Sequence, residues 1–320
     1  MSIKIIKPGV LTTLQDAGRN GYRDIGVGPG GAMDSFALIA ADLLAGNDGN
    51  SAVMEMNFPA PEILFRHDAL ISLAGADLKP TVDGITIPLW KPFFVQQGSL
   101  LKFMQPMQGA RAYLAVNGGW KAEQWLGSCS THLKAGAGGY TGRALRRDDE
   151  LECRKSFITN GPLNWQLSVS TTNLVYQPEN IIRYIPSAEW ELMNNNSQQA
   201  LEKESFCISS QSDRVGYRLK GPQLSLQDPT SMISSAVDTG TIQLLPDGNL
   251  IILMADHQTT GGYPRIASVI KADLPKLAQL TAGKEIKFKR VTRQSAEDAL
   301  ISMTQLLADI RAACDLNFRK

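Results

Sequence analysis

The chain has 320 residues, 43% hydrophobic and 20% charged, which is enough apolar material for a sizeable core and enough length for one large domain or two ordinary ones. Its 32 basic and 31 acidic residues leave a formal net charge of +1, so no electrostatic excess favours nucleic acid or an anionic membrane surface. No run reaches the ~18 uninterrupted apolar residues of a membrane helix, and Cys129, Cys153, Cys207 and Cys314 lie far apart with no C-x-x-C pair. Free thiols in a soluble, cytoplasmic protein are the simplest reading.

Residues 1–9, MSIKIIKPG, alternate apolar and polar side chains and stop at Pro-Gly. That is the pattern of a first strand; a secretion signal would need a longer apolar core. Next comes Gly26-Val27-Gly28-Pro29-Gly30-Gly31, which fits G-x-G-x-x-G and precedes a helix. A dinucleotide fingerprint requires a buried parallel strand just before it, whereas the residues before this one, 20–24, are polar and turn-like. A Rossmann cofactor site is therefore not expected, although such a loop at a helix start could hold an anion. No Walker-type G-x-x-x-x-G-K-[ST] occurs.

Asp34 can cap a helix over 35–45, with Leu38, Ala41 and Leu44 on one face and Gly46-Asn47 as its stop. Strand-like runs then dominate, at 69–74, 93–96, 100–103, 112–116 and 151–154. Within Thr81-Val82-Asp83-Gly84-Ile85-Thr86, Asp-Gly supplies the positive φ of a hairpin turn, and Pro246-Asp247-Gly248 repeats the signal later. Strands at this spacing with few helices between them indicate a barrel or sandwich, not a parallel α/β sheet.

Between these strands, Cys129 stands three residues from His132, ahead of the glycine-rich run 135–142. A thiol near an imidazole invites a nucleophile reading, but nucleophile and base usually meet from distant positions; glycines shaping a loop at a barrel mouth are the plainer account. With only His67, His132 and His257 in the chain and no ligand spacing, no metal site is expected.

Strand patterning lapses over 155–177, so the boundary is expected there, with one β subdomain over 1–160 and a second over 161–320 that ends in a helix. In the second half, Ser187 can cap a helix bearing Trp190 and Met193. Arg214 and Arg218, four apart, would share one face of a strand and could clamp a carboxylate or phosphate, or simply line a solvated edge. The apolar run 250–255 ends in Asp256 and the polar stretch His-Gln-Thr-Thr-Gly-Gly-Tyr-Pro, and the return strand leads to Lys271. A hairpin needs only about two to five turn residues. Asp256 could orient a donor or act as a base, Gly261 and Gly262 allow close backbone approach, and Lys271 could meet an oxyanion; an ordinary long loop is the competing reading. Finally, Ser295 and Asp298 resemble a capping box for a helix whose Leu300, Met303, Leu307 and Ile310 would pack on the body.

Several of these stretches together resemble a known family. They are TTLQDAGRNGY (12–22), GAMD (31–34), AGAD (74–77), RAYLAVNGG (111–119), LGS through Thr131, DRVGYRL (213–219), GTIQ (240–243), 256–264 and KADL (271–274). In this order, over nearly the whole chain, they resemble the KipA-type family. It is also called allophanate hydrolase subunit 2, or the A/B half of the carboxyltransferase domain of urea carboxylase. The resemblance implies a mainly β fold with a few helices, built as two cyclophilin-like β-barrel subdomains. Free-standing bacterial members are most often the C component of an ATP-dependent 5-oxoprolinase, which opens 5-oxo-L-proline to L-glutamate. The implied activity is therefore that of a lactam-hydrolase component active only in complex. Its implied partners are a B-type component (KipI-like) and an A-type component (LamB/YcsF-like), with ATP shared with the partner subunits. The other roles the family allows are a regulator that binds a KipI-like inhibitor of a histidine kinase, or a carboxyltransferase component acting on an amide or urea-like substrate. The loop sequence HQTTGGY (257–263) is closer to the free-standing members, which speaks against carboxybiotin as a donor, and the chain carries no biotin-attachment segment. By motif, Gln243, Asp256 and Lys271 are the implied catalytic positions: Asp256 orienting the lactam N–H, Lys271 stabilising charge on its oxygen, and Gln243 adding a neutral hydrogen bond. Thr259, Thr260, Gly261, Gly262 and Tyr263 form the implied substrate-binding wall, with Arg214 and Arg218 beside it.

Overall fold

A computed structural model describes residues 2–154, 165–228 and 232–318. The chain is mainly β, as expected. It divides into two compact units, one formed by Met1–Arg19, Gly30–Thr172 and Gln305–Lys320, the other by Asn20–Pro29 and Asn173–Thr304. The expected cut between 160 and 161 falls outside the described residues. Two segments sit apart from a simple halving: residues 20–29 belong to the second unit and 305–320 to the first.

The first unit holds β1 (Ser2–Lys7), β2 (Thr12–Gln15), β3 (Val53–Asn57), β4 (Glu62–Phe65), β5 (Ala69–Asp77) and β6 (Pro80–Val82). It continues with β7 (Ile85–Thr86), β8 (Pro92–Val95), β9 (Leu100–Phe103), β10 (Gln108–Val116) and β11 (Glu150–Glu152). These make a six-stranded sheet, β11-β1-β4-β9-β6-β7, and a five-stranded sheet, β2-β3-β10-β5-β8. One apolar cluster joins the inner faces of both, with Ile3, Ile5, Phe65 and Leu101 from one and Met54, Ile71, Leu114 and Val116 from the other. Because side chains alternate along a strand, Tyr113 and Ala115 of β10 face the opposite way. There they meet Ala37, Leu38 and Ala41 of helix α1 (Ser35–Leu44). Coverage on both faces is why ARAYLAV reads as an almost unbroken apolar run. Asp34 caps α1 as expected, its carboxylate accepting from Ala37 N at 2.9 Å. The Asp83-Gly84 turn joins β6 to β7 with both residues at positive φ.

After a short helix α2 (Val169–Asn173), the second unit contains β12 (Ile181–Pro186), α3 (Asn195–Lys203), β13 (Ser205–Ile208), β14 (Gly216–Lys220), β15 (Ser235–Ala236) and β16 (Thr241–Leu244). It continues with β17 (Leu250–Leu253), β18 (Thr260–Gly261), β19 (Arg265–Val269), α4 (Leu274–Ala278), β20 (Glu285–Arg290) and the start of α5 (Arg293–Phe318). Seven of its strands close a barrel in the order β12-β19-β16-β17-β14-β13-β20. The ring shuts through the parallel pair β12–β20, so no edge is left unpaired in the barrel. Tyr184, Phe206 and Phe288 stack edge-on with centroids 5.6–6.0 Å apart.

Three helix expectations change. Ser187 precedes only a 3-10 turn and makes no side-chain cap; the helix that follows is α3, capped by Asn194, which accepts from Ser197 N at 2.8 Å. The last helix starts at Arg293, two residues earlier than a Ser295 start, because Thr292 Oγ1 accepts from Ser295 N and fills the capping role. Along that helix only Ile310 and Cys314 are fully buried; Leu300, Met303 and Leu307 are half-buried.

Candidate functional site

The antiparallel pairing of β14 with β17 sets Gly216 opposite Leu253, and the two chains stay in register beyond it through Met254 N to Val215 O and Asp256 N to Arg214 O. That geometry delivers Arg214 and Asp256 to the same end of the barrel. Their side chains form a bidentate fork, with Nε to Oδ2 at 2.8 Å and Nη2 to Oδ1 at 2.9 Å. The guanidinium keeps 6% exposure and the carboxylate 21%. Both oxygens of Asp256 therefore already hold a cation, and its first role is to fix Arg214.

Arg218 does not join them. The spacing argument assumed a strand running through both arginines, but β14 begins at Gly216. Tyr217 and Leu219 point inward, so Arg218 stands on the outer face, exposed, within reach of Asp247.

Gln243 sits in the middle of β16, 1% exposed, and donates through Nε2 to the Tyr263 carbonyl at 3.4 Å. It lies directly beneath the loop: a Cβ on Gly261 would come within 2.6 Å of that Nε2. The stretch after Asp256 is not an idle loop. Thr260 and Gly261 pair with Ala236 and Ser235, Val237 N donates to Thr259 O, and Arg265 ties Ala236 O at 3.0 Å while pairing with Glu189. Thr260, Gly262 and Tyr263 remain exposed, Thr259 half so. Lys271 is exposed at the start of a 3-10 turn and its charge reaches Asp238.

The structure adds residues the sequence reading left out. Arg23, from the 20–29 segment, donates to Asp238 Oδ1 at 2.6 Å across 215 positions of sequence. Burial opposes ionisation of Asp238, but the Arg23 bond, the Thr239 amide and the charges of Arg23 and Lys271 outweigh it and hold the carboxyl below its ordinary range. His257 is 2% exposed; burial pushes its pKa down and Arg23 adds to this, against the Gln258 carbonyl, Asp238 and Asp256. Asp273, next to Lys271 in the KADL stretch, is consumed structurally by Arg183, with Nη2 to Oδ1 at 2.6 Å, and by Lys276 at 3.9 Å. Local sequence held no signal for Arg23–Asp238, since neither the spacing nor the residue types are unusual.

In the first unit, the Cys129–His132 proximity does not become a catalytic pair. Cys129 Sγ accepts from Arg154 Nη2 at 3.4 Å, and burial, with Asp16 second, pushes its thiol up. His132 Nδ1 accepts from Ala135 N at 3.0 Å, and its ring meets Trp125 edge-on. The glycines of 135–142 serve packing: a Cβ on Gly138 would lie 2.5 Å from the Ser130 carbonyl. The G-x-G-x-x-G segment gives no nucleotide cradle either. Gly26 N and Val27 N close its own turn on Arg23 and Tyr22, Ala32 N donates to Asp16 O, and the strand before it, β2, is antiparallel to β3. This segment does not fit a nucleotide's phosphates.

The sequence profile described as "Carboxyltransferase domain, subdomain A and B" matches residues 25–290. The chain belongs to the carboxyltransferase A/B family. Within it, the chain is 38% identical to the C component of the Haemophilus influenzae 5-oxoprolinase over 294 residues, 92% of this chain and 93% of that protein. The corresponding protein of Escherichia coli is 37% identical over the same shares. Among solved structures, the Kluyveromyces lactis urea amidolyase superimposes with a TM-score of 0.89 at 26% identity, covering 97% of this chain and 20% of that one. As a carboxyltransferase A/B member, the chain thus combines a family fold with a barrel-end cluster of Arg23, Arg214, Asp238, Asp256 and His257, and with Gln243 beneath the 259–263 stretch. Among the described residues, no helix is long and apolar enough to cross a membrane.

Proposed function

We propose that this chain is the C component of an ATP-dependent 5-oxoprolinase, which opens the lactam of 5-oxo-L-proline to L-glutamate together with a B-type and an A-type component. The observation that carries this reading is the 37–38% identity, nearly end to end, with two proteins named as the C component of 5-oxoprolinase. The chemistry of the barrel end agrees with it. A 5-oxoproline molecule presents a carboxylate, a neutral N–H and a carbonyl oxygen that gains negative charge when the carbon is attacked. Arg214, held rigid by Asp256, and the exposed Lys271 are cations suited to the first and the last. Gln243 and the backbone of 259–263 offer neutral hydrogen bonds. The likeness to urea amidolyase fits a shared demand, because lactam and urea are both neutral amides with a poorly electrophilic carbon.

In this reading the chain binds, orients and stabilises charge, and the nucleotide belongs to the partner subunits. Preorganised charge of this kind contributes ~3–4 kcal/mol per donor when removed. The test is glutamate release from 5-oxoproline and ATP by the purified assembly. Omitting this chain is expected to abolish it; undiminished glutamate formation without the chain refutes the reading. Lys271→Ala, at an exposed position with no stability cost beyond about 0.5 kcal/mol, is expected to lower kcat ~100-fold while the chain still co-elutes with the B-type component. A wild-type rate in that variant removes Lys271 from the site.

A further inference from the structure

Strand β20 carries its alternation one step past the barrel wall. Ile286 and Phe288 point inward and are buried, and Arg290, two residues on, continues that face at the strand's end. There its guanidinium lies over the indole of Trp190, with Cζ 5.5 Å from the ring centroid. Tyr184 is its neighbour across the β12–β20 pairing; fully buried, it donates its hydroxyl to Glu202 Oε1 of α3 at 3.2 Å. Burial, with Glu202 second, pushes this phenol up, so it remains a donor to the carboxylate. Glu202, Phe288, Lys289, Arg290 and Thr292 line an open cavity of about 590 Å³, within the ~300–1,000 Å³ typical of small-molecule sites. The charged side chains of Glu202 and Arg290 are exposed and can be reached from solvent. Because β20 and β17 run in opposite directions around the ring, this cavity lies at the barrel end away from Arg214 and Asp256.

Among the described residues, Arg290 and Glu202 do not pair with each other, and neither has another ion-pair partner. The indole positions the cation and the tyrosine positions the carboxylate, while the guanidinium edge and Glu202 Oε2 stay open to the cavity. Opposite charges held on one cavity without neutralising each other fit a ligand that carries both. We propose that this cavity binds free L-glutamate, with its α-carboxylate on Arg290, its ammonium on Glu202, and its side-chain carboxylate toward Lys289 and the Thr292 hydroxyl. The choice of amino acid rests on the lactam-opening reading. Two cations and one carboxylate match the two carboxylates and one ammonium of glutamate. 5-Oxoproline has a single carboxylate and a neutral amide nitrogen, so it would leave Glu202 without a counter-charge. A phosphate ligand would set its oxygens against Glu202. The cavity therefore distinguishes the opened product from its lactam by the ammonium group that ring opening creates.

The test is isothermal titration of the full chain with L-glutamate, expected to give a Kd of about 1 mM or below. Glutarate, which keeps both carboxylates and lacks the ammonium, and 5-oxo-L-proline should each bind at least ~10-fold more weakly. Arg290→Met keeps an apolar chain over Trp190 and drops the charge; Glu202→Gln keeps an acceptor for the Tyr184 hydroxyl. Each variant should weaken glutamate at least ~10-fold while its melting point stays within about 2 °C of wild type. No saturable binding up to about 10 mM glutamate, glutarate binding as tightly as glutamate, or unchanged affinity in both variants overturns the proposal. Glutamate formation by the purified assembly is measured separately. If the assembly forms glutamate and the chain does not bind it, the functional reading stands and this site falls. If the assembly forms none and the chain still binds glutamate through Arg290 and Glu202, the functional reading fails and the site stands as one for an acidic amino acid.

Discussion

The Arg214–Asp256 fork gives the sharpest structural prediction. Asp256→Asn preserves the shape of the side chain and removes its charge, leaving a guanidinium with 6% exposure facing a neutral amide. Breaking a buried pair by removing one partner costs about 3–5 kcal/mol. Asp256 retains 21% exposure and asparagine can still accept one of the two hydrogen bonds, so the expected loss lies lower, at about 2–3 kcal/mol. In a unit of this size that corresponds to a fall of about 5–10 °C in the midpoint of its thermal transition. Arg214→Met removes the charge that needs a partner, so in the double variant Asp256→Asn should cost far less, a coupling of at least ~1.5 kcal/mol. Circular-dichroism melts of wild type, both single variants and the double variant measure the cycle. A melting point for Asp256→Asn within about 1 °C of wild type, with additive single effects, would show that the fork is screened by solvent and that Asp256 is available to substrate. Any rate loss in Asp256→Asn that exceeds its unfolded fraction then reports on catalysis through Arg214 positioning.

Two further outcomes follow from the same end of the barrel. Gly261→Ala places a Cβ 2.6 Å from Gln243 Nε2; because that atom ends a flexible side chain, stability should fall by only about 1 kcal/mol, while turnover drops as Gln243 is displaced, and Gly261→Ala with Gln243→Ser should regain the stability on a denaturant curve. Asp238 has its carboxyl depressed in the folded state, so its contribution is present above the ordinary carboxylate range of about 4 and is lost as pH falls below it. The pair is half exposed and worth less than about 1 kcal/mol, so Arg23→Met should lower the melting temperature slightly near neutrality and progressively less as pH falls from about 5 to 3, flattening the profile there; an effect of equal size at pH 7 and pH 3 would mean that the loop, not the charge, is responsible.

Strand positions were legible because burial on a pleated surface writes itself into a period of two. β1, SIKIIK, fully buries only Ile3 and Ile5, and the Asp-Gly turns fell where positive φ is required. Helix α3 was illegible for a related reason: NNSQQALEK opens on asparagines, which favour turns and caps alike, and only the structure shows Asn194 serving as the cap. Gln243, Asp256 and the 259–263 wall came from motif; Gln243 lies beneath the 259–263 stretch, while Asp256 is held by Arg214. The arginine pair failed because strand periodicity was extended two residues beyond where β14 starts. Arg23 and Asp238 were beyond reach, since a contact across 215 residues leaves no trace in any local window.

The segment GVGPGG shows most clearly how one pattern can answer to different physics. A dinucleotide loop needs glycine so that phosphates can approach the backbone, and this loop needs it so that protein can. Gly26 turns at φ 81°, Gly28 leaves room for the His257 carbonyl, and Gly31, at φ 90°, has the Ala17 and Gly18 backbone about 3 Å from where a Cβ would be. The first two positions belong to the second unit and the third to the first. A side chain at 28 would push the 20–29 segment off the 256–258 backbone, separating Arg23 from Asp238 and loosening the cover over an imidazole whose neutrality depends on burial. The glycine at 28 is therefore part of the site's electrostatics although it carries no functional group.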